Sequence, residues 1–372
     1  MQRAIIIGGG FAGLAASLKL AAHKNIFEVR LLDKKKWSDF LPSLPDSIGR
    51  GIEPESLTCN IESISKSKGF KFINEEVSGL DLDKRKVFTL KGSMEYDYLI
   101  IASGSETNFY GNENIREKAF CLDSASDAEI INKALKEKVF SNYVVSGGGY
   151  TGIEVATNLR LSLDKNKNKG KVFIVERASS ILGPLPDWIK QYVLNNLAKL
   201  NIELLLNSSI LRIDNGVVYF EGGKTLNDSF VVWAAGVRTA SFIQNLKVEK
   251  NPQGRIRVDE YLRLNERCFI AGDAAYFKDK NTYLRMAVQF AITEGELAAE
   301  NVINNTLGKK LKIYKPIDLG YIIPMANNRS CGVVLAMKIK GFIATVFHFI
   351  MCAYRLCGLR NKIEFIKGLM TG

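Results

Sequence analysis

One pattern constrains the fold of this chain more than any other feature, and it begins at the first residues. A short β-branched strand leads into Gly8-x-Gly10-x-x-Gly13, an Ala- and Leu-rich run of high helix propensity follows, and a second apolar strand ends at Asp33. Asp33 lies 20 positions after Gly13 (33 − 13). This order and spacing are typical of a βαβ unit that binds a dinucleotide.

The same pattern occurs a second time. A strand at 143–146 leads into Gly147-x-Gly149-x-x-Gly152, and the strand after the next helical run ends at Glu176. In both copies we predict that the helix begins directly after the third glycine. A single glycine pattern is weak evidence, but strand, helix and acid accompany it twice here, so the sequence predicts two dinucleotide sites.

A longer repeat surrounds the two glycine patterns. Each copy continues through a predicted β-hairpin to an apolar strand that ends in glycine, at Gly104 and at Gly236. A later apolar strand, 268–274, contains Gly272-Asp273 and is predicted to complete the first copy, with a helix at 286–303 after it. The predicted fold class is therefore α/β, with two Rossmann-like domains that carry β-hairpin or meander insertions.

The predicted domain boundaries follow from this repeat. The first dinucleotide domain is discontinuous and takes residues 1–111 and 246–314, and the second takes residues 112–245. Residues 315–372 change in composition and are predicted to form a C-terminal membrane-anchoring region.

The residue types at these positions suit a pyrophosphate and a ribose. The glycines permit a tight turn and close backbone approach, and the following helix offers N–H groups and the positive end of its dipole. Asp33 and Glu176 can accept hydrogen bonds from ribose hydroxyls. Since a carboxylate repels a 2′-phosphate, Glu176 favours NADH over NADPH, although Arg177 beside it is the residue type that accommodates that phosphate.

Further motifs resemble those of the two-dinucleotide flavoproteins. These are the strand ends Ala102-Ser103-Gly104 and Ala271-Gly272-Asp273, beside the two glycine patterns. The resemblance implies FAD in the first domain and NAD(H) in the second, with Asp273 on the ribityl–phosphate part of FAD. No C-x4-C follows Asp33 and no C-x-x-C occurs in the chain, so a dithiol mechanism at the main site is excluded.

Finer features resemble the type II NADH dehydrogenases, which are NADH:quinone oxidoreductases. Glu154 matches an acidic residue associated with nicotinamide and flavin chemistry in that family, and Thr293 stands where the family motif has a second Gln. The other segments that carry the resemblance are Phe40-Leu41-Pro42-Ser43-Leu44, Asn108-Phe109-Tyr110-Gly111, Val288-Gln289-Phe290-Ala291 and Gly358-Leu359-Arg360-Asn361-Lys362.

The motifs and this resemblance together imply a set of site residues. Glu154 and Gln289 are the predicted catalytic residues, and Gln289, Phe290 and Thr293 are the predicted quinone contacts. The FAD set is Gly8, Gly10, Phe11, Ala12, Gly13, Asp33, Lys34, Ser103, Gly104, Asp273, Val288 and Gln289. The NAD set is Gly147, Gly149, Tyr150, Thr151, Gly152, Glu154, Glu176 and Gly236. With only two histidines in the chain, no metal site is expected.

The function implied is transfer of electrons from NADH through FAD to a membrane quinone, either menaquinone or ubiquinone, without proton pumping. A sulfide:quinone oxidoreductase is one alternative, for which Cys121 and Cys331 are the only plausible pair of cysteines near a flavin. The other alternative is an NADH-binding flavoprotein that serves as a redox sensor or interaction module. The two complete glycine patterns favour the NADH-dependent enzyme.

The net charge of +12 is concentrated in the C-terminal region. Residues 309–372 hold eleven Lys and Arg and two acids, which gives +9. Within them, residues 341–354 are 14 residues without a formal charge, and as a helix they would span about 21 Å, less than the roughly 30 Å hydrocarbon core. An apolar segment edged by cations predicts a monotopic anchor on an anionic leaflet.

The predicted location and partners follow from the chain's first residues, its cysteines and this C-terminal region. The first strand begins almost at Met1 and the six cysteines are scattered, which predicts an intracellular protein with reduced thiols. We therefore expect a peripheral protein on the cytoplasmic face of the cell or inner membrane. A homodimer interface is the alternative use of the apolar run. Nucleic acid is not an expected partner, because the cations interleave with apolar residues.

Overall fold

The computed structural model describes residues 1–280 and 282–371, and the chain separates into two compact units. The first unit contains Met1–Ser38, Cys59–Glu106 and Val237–Asp318. The second unit contains Asp39–Thr58, Thr107–Gly236 and the residues from Leu319 onward.

The helices and strands are numbered here in chain order. The helices are α1 (Phe11–Ala21), α2 (Asp46–Gly49), α3 (Ile61–Lys68), α4 (Glu113–Lys118), α5 (Ala125–Glu137), α6 (Tyr150–Lys165), α7 (Asp187–Lys199), α8 (Ser241–Gln244), α9 (Val288–Thr306), α10 (Phe342–Arg355) and α11 (Leu359–Thr371). The strands are β1 (Gln2–Ile7), β2 (Phe27–Asp33), β3 (Trp37–Asp39), β4 (Thr58–Asn60), β5 (Lys71–Asn74), β6 (Val77–Asp81), β7 (Lys86–Thr89), β8 (Gly92–Glu95), β9 (Tyr98–Ile101), β10 (Glu106–Thr107), β11 (Asn142–Ser146), β12 (Lys171–Val175), β13 (Ile202–Leu205), β14 (Ile210–Asp214), β15 (Val217–Phe220), β16 (Thr225–Leu226), β17 (Ser229–Trp233), β18 (Val237–Arg238), β19 (Ile256–Arg257), β20 (Arg263–Asn265), β21 (Cys268–Ile270), β22 (Ala275–Tyr276), β23 (Lys278–Asp279), β24 (Thr282–Tyr283), β25 (Gly320–Ile323), β26 (Ser330–Val334) and β27 (Met337–Gly341). Short 3₁₀ helices lie at Leu41–Ser43, Pro54–Leu57 and Gly272–Ala274.

The first unit is built on a six-stranded sheet with the order β20-β21-β9-β1-β2-β5. Its strands are parallel except for β20, which runs antiparallel to β21. The central strands are buried on both faces, with Ile5 and Ile6 of β1 both fully inaccessible, as expected for a parallel sheet covered on both sides. The pairing of β21 with β9 confirms that a later segment completes the first domain.

The second unit repeats this arrangement with four parallel strands in the order β13-β12-β11-β17. Each unit also carries an antiparallel three-stranded meander, β6-β7-β8 in the first and β14-β15-β16 in the second. The predicted pair of Rossmann-like folds with meander insertions is therefore confirmed.

Both helices that follow the glycine patterns begin earlier than predicted. We placed their starts after Gly13 and Gly152, but they begin at Phe11 and Tyr150, directly after the second glycine of the pattern. The third glycine therefore lies inside the first turn of the helix, where a Cβ on it would overlap the carbonyl oxygen of the first glycine of the pattern in both units. The N–H groups of the helix therefore start closer to the glycine turn than the sequence indicated.

The C-terminal residues pack on the second unit. The sheet β25-β26-β27 is antiparallel, and Ile323, Met325 and Cys331 from this region belong to the hydrophobic core beneath β11 and β12. The buried faces of α10 and α11 include Ala344 and Phe365, which are fully inaccessible. Residues from Leu319 on are thus part of a compact unit, whereas the predicted boundary made 315–372 a region of its own.

Within the described residues, no helix combines the length and the apolar composition needed to cross a membrane.

Candidate functional site

The first glycine turn joins β1 to α1. Gly8 has φ +104°, and a Cβ on it would overlap the carbonyl oxygen of Ala102 at the end of β9. Only glycine tolerates both conditions. Gly10 has open space around its Cβ position, and no side chain among the described residues caps α1 there. The N-terminus of α1 can therefore receive an anionic group.

The acid at the end of β2 is fixed beside this turn. Asp33 Oδ2 accepts a hydrogen bond from Gly9 N at 2.5 Å, and Oδ1 accepts from Lys35 N at 2.7 Å. Two backbone donors therefore orient the carboxylate, as a ribose site requires. The neighbouring Lys34 is exposed and its Nζ lies 3.3 Å from Glu76.

The strand ends next to the turn contribute further polar groups. Ser103 Oγ is buried and has no hydrogen-bond partner among the described residues. Asp273, in the 3₁₀ helix after β21, accepts from Ser105 Oγ at 2.7 Å, and burial raises the pKa of its carboxyl. An orphaned hydroxyl and a desolvated carboxyl beside a glycine turn fit the polar atoms of a bound dinucleotide. Gly104, which follows Ser103, has φ +65°, a conformation that favours glycine.

Two buried ionisable residues support this region, and the sequence analysis missed both. Glu294 of α9 is 2% exposed and its Oε2 accepts from Gly272 N at 2.7 Å. Burial raises the pKa of Glu294 to about 8. Arg255, 6% exposed, donates to the carbonyl oxygens of Asp273 and Ala275 at 3.1 and 2.6 Å. The only sequence signal was a lone acid on the otherwise apolar face of a helix.

The second glycine turn, between β11 and α6, repeats the first. Gly147 has φ +109°, and a Cβ on it would overlap the carbonyl oxygen of Ala234. Glu176 Oε2 accepts from Gly148 N at 2.7 Å, and its Oε1 accepts from Ala178 N at 2.7 Å. The two acids thus hold equivalent positions with equivalent backbone donors.

The remaining residues of the predicted NAD set surround this second turn. Gly149 has open space at its Cβ position and precedes α6. Tyr150 packs edge-on against Tyr321 with ring centroids 6.0 Å apart, and Thr151 is exposed. Gly236 has φ +131° and lies beside the Tyr110 hydroxyl.

Glu154 on α6 has unusual electrostatic surroundings for an acid. Its side chain is partly buried, and burial raises its pKa to about 8; Asp46 adds to this rise and His348 opposes it. Asp46 on α2 is 3% exposed, and its Oδ2 lies 3.7 Å from His348 Nε2. Its Oδ1 lies 3.2 Å from Nε of Arg50. The second unit therefore places a neutral carboxyl near a buried ion pair.

His348 links this group to the C-terminal region. It lies on α10 with its side chain 11% exposed, and its Nε2 is 3.6 Å from Cys352 Sγ. Burial lowers the pKa of His348, but Cys352 and the Asp46 carboxylate outweigh burial and raise it well above its ordinary value. The sequence did not predict this arrangement, because Asp46 and His348 are 302 positions apart (348 − 46).

The raised pKa of Glu154 predicts a pH dependence of stability. Between its ordinary pKa of 4.5 and about 8, the carboxyl is protonated in the folded chain and ionised in the unfolded chain. Stability therefore falls as pH rises through this range and then levels off. We expect the melting temperature of Glu154→Gln to decrease less between pH 5 and pH 9 than that of the wild-type protein. The matched control is Glu203→Gln, an exposed acid on β13; identical pH slopes for the two variants would contradict the prediction.

The predicted quinone residues lie at the start of α9. Val288 and Gln289 are the first two residues of α9, and Gln289 Nε2 donates to Asp318 Oδ1 at 3.1 Å. Thr293 Oγ1 lies 2.8 Å from the Tyr314 hydroxyl. Phe290 is 3% exposed with the guanidinium of Arg285 over its ring, so it lies below the surface, and its contact with a quinone stays a prediction.

Comparison with known proteins places these features in one family. Residues 2–295 match the model of the pyridine nucleotide-disulphide oxidoreductases. A type II NADH:quinone oxidoreductase of Staphylococcus haemolyticus is 26% identical over 369 residues, covering 91% of both chains. The corresponding protein of Staphylococcus aureus is 25% identical with the same coverage.

Solved structures share the fold. NDH2 from Plasmodium falciparum in complex with NADH matches with a TM-score of 0.86 at 18% identity, covering 99% of this chain and 97% of that one. The sulfide:quinone oxidoreductase of Aquifex aeolicus matches with a TM-score of 0.80 at 20% identity, covering 97% and 92%. Since the family model covers most of the chain and both glycine turns have the geometry described above, this protein belongs to the pyridine nucleotide-disulphide oxidoreductase family.

Proposed function

We propose that this protein is an FAD-dependent NADH:quinone oxidoreductase of the type II, non-proton-pumping kind. The observation that carries the proposal is the pair of glycine turns, each complete with its oriented acid. The sequence relatives add the substrate class, because their names specify NADH and quinone and they align over 91% of this chain.

In this proposal, the first turn holds FAD. Asp33 binds the adenosine ribose, the N-terminus of α1 faces the pyrophosphate, and Ser103 and Asp273 bond to the remaining polar atoms. Bound flavin supplies the hydride and electron chemistry, which amino-acid side chains do not provide. Glu294 and Arg255 keep Asp273 in place by bonding to the backbone around it.

The second turn holds NADH through Glu176 and the N-terminus of α6. A carboxylate whose two oxygens already face backbone donors is fixed in position and repels a 2′-phosphate, so NADH is preferred over NADPH. Glu154, neutral at physiological pH because of its raised pKa, is a proton donor near the nicotinamide end of this site. Gln289 donates or accepts hydrogen bonds at the quinone.

A sulfide:quinone oxidoreductase, the main alternative, needs reactive thiols. Burial raises the pKa of both Cys121 and Cys331 to about 12. Since the thiolate is the nucleophile, such cysteines are almost wholly unreactive at neutral pH. This weighs against sulfide as the substrate, although the sulfide enzyme of Aquifex aeolicus shares the fold.

The C-terminal helices support attachment to a membrane surface. One face of α10 exposes apolar side chains at the spacing of helical turns, and α11 adds more. They are Phe342, Ile343, Val346, Phe347, Ile350, Met351 and Tyr354 on α10, and Leu359, Ile363, Ile366 and Met370 on α11. Together with the basic charge of this region, the exposed face suits an anionic leaflet on the cytoplasmic side. A homodimer contact is the competing use of this face.

The assay that tests the proposal is an anaerobic titration of the purified protein. NADH should bleach the flavin absorbance stoichiometrically, and a short-chain quinone should restore it. Sulfide without NADH should leave the absorbance unchanged. Bleaching by sulfide, or failure of every quinone to restore the colour within seconds, would contradict the proposal and favour the sulfide enzyme or the sensor, respectively.

A further inference from the structure

The segment between α9 and β25 contacts the predicted quinone-facing side of α9 at two points. We call residues 309–318, which have no regular secondary structure, the strap. The Tyr314 hydroxyl of the strap lies 2.8 Å from Thr293 Oγ1. Asp318 Oδ1 accepts from Gln289 Nε2 at 3.1 Å. Gln289 and Thr293 are one turn apart on α9, so the strap lies along a single face of the helix.

A second side chain, that of Arg285, also holds Asp318 in place. Arg285, three residues before α9, donates through Nη2 to Asp318 Oδ1 at 2.8 Å and through Nη1 to Oδ2. A two-pronged guanidinium–carboxylate pair fixes the plane of the carboxylate as well as its distance. The Arg285 guanidinium also lies 5.3 Å from the ring centroid of Phe290, which limits its freedom.

This arrangement determines which way the Gln289 amide faces. An ionised carboxylate only accepts hydrogen bonds, so the end of the amide facing Asp318 must be the Nε2 group. The carbonyl Oε1 is therefore the end of the amide that does not contact Asp318. A glutamine without such a partner would sample both amide orientations and several rotamers.

We propose that Asp318, clamped by Arg285, is a positioning residue that holds the Gln289 side chain in one orientation for contact with the quinone. The inference rests on the proposed function and adds two residues to it. The strap's second contact, between Tyr314 and Thr293, holds the strap against α9 one helical turn after Gln289. Thr293 in place of the family's glutamine thus has a partner of its own.

The test uses the full-length, FAD-loaded protein and two electron acceptors. A short-chain quinone requires the quinone site, whereas ferricyanide accepts electrons without it. We expect Asp318→Ala to lower kcat/KM for the quinone about tenfold, chiefly through KM, as for the loss of one charge-assisted hydrogen bond. Ferricyanide turnover should change less than about twofold. Asp318→Asn, which retains an acceptor oxygen, should fall between wild type and Asp318→Ala.

A double-mutant cycle separates positioning from a general structural role. In a Gln289→Ala background, Asp318→Ala should have no further effect on quinone kcat/KM, because the side chain that it positions is gone. The matched control is Glu249→Gln, which removes the carboxylate partner of Arg257 on the same unit, and it should leave both acceptors unaffected. Melting temperature and flavin content verify folding, and if Asp318→Ala does not fold, Asp318→Asn is carried through the same cycle.

Two results would overturn the inference and are distinguishable. Additive effects in the cycle, or equal losses with quinone and ferricyanide, would show that Asp318 does not act through Gln289, while leaving the enzyme's function intact. Wild-type protein that reduces ferricyanide with NADH but reduces no quinone would overturn the proposed function and this inference with it.

Discussion

Asp33→Ala should purify with little bound FAD. The substitution removes a carboxylate that can accept two ribose hydrogen bonds, each contributing about 1.5–3 kcal/mol when charge-assisted. Losing two of them weakens FAD binding about 100-fold or more. It also removes the acceptor for Gly9 N and Lys35 N, so the turn loses its support on the side of β2. Flavin absorbance per mole of protein, followed by titration of the stripped protein with FAD, measures the effect.

The same strand offers a matched control for this prediction. Glu28 is also an acid on β2, but its carboxylate accepts hydrogen bonds from Arg30 at 2.8 and 2.6 Å rather than from the backbone of the glycine turn. Glu28→Ala should keep full flavin content. An Asp33→Ala protein with wild-type colour and FAD affinity would show that the ribose is bound by another group.

The second large effect concerns the exposed face of α10. Phe342, Phe347 and Ile350 are 66%, 45% and 58% exposed. If each buries about half of its side chain in a leaflet, and full burial contributes about 2 kcal/mol, the three together contribute about 3 kcal/mol. Replacing all three with Ser should therefore weaken binding to anionic vesicles about 100-fold. Vesicle co-sedimentation of the folded, FAD-loaded protein measures this.

The control variant changes three exposed apolar residues away from the C-terminal helices. Leu90, Ile130 and Val139 are 91%, 52% and 69% exposed, and replacing them with Ser should leave vesicle binding unchanged. High salt should release the wild-type protein only in part, because it screens the cations but not the apolar contact. Unchanged vesicle binding of the α10 variant, with a shift from dimer to monomer in its measured mass, would assign the face to a homodimer.

Point substitutions are preferable to truncation for this test. Removing the chain after Gly332 would cut β26 and uncover Met325 and Cys331, which belong to the core of the second unit. The loss of membrane binding could not then be separated from unfolding. Exposed residues on α10 can change without altering that core.

The two glycine turns, their acids and the meanders could be predicted from the sequence, because each depends on residues close together in the chain. Gly8 and Gly147 need φ angles and close approaches that only glycine allows, so their positions mark the turns. Asp33 and Glu176 follow at fixed strand ends. The parallel strands are apolar runs of a few residues bounded by turns, which is a local pattern.

The sequence also indicated an apolar, basic C-terminal region, but not how it folds. The division of α10 into a buried face with Ala344 and an exposed face with Phe342 depends on its packing against the second unit. A run of apolar residues does not reveal which side chains will be buried against the rest of the protein and which will stay exposed. The predicted separate region and the observed compact unit differ for this reason.

Other parts of the candidate site were decided by tertiary structure alone. Asp46 meets His348 beside Glu154, and Asp318 meets Arg285 beside Gln289, across 302 and 33 positions of sequence respectively. No local pattern marks an acid that will be desolvated or clamped, since its pKa and orientation are set by whatever the fold brings against it. The backbone conformations open to glycine are a property of the residue itself, so the cofactor turns could be predicted from the sequence. Burial and pairing are properties of the packed chain, so the groups that tune and position the site could not.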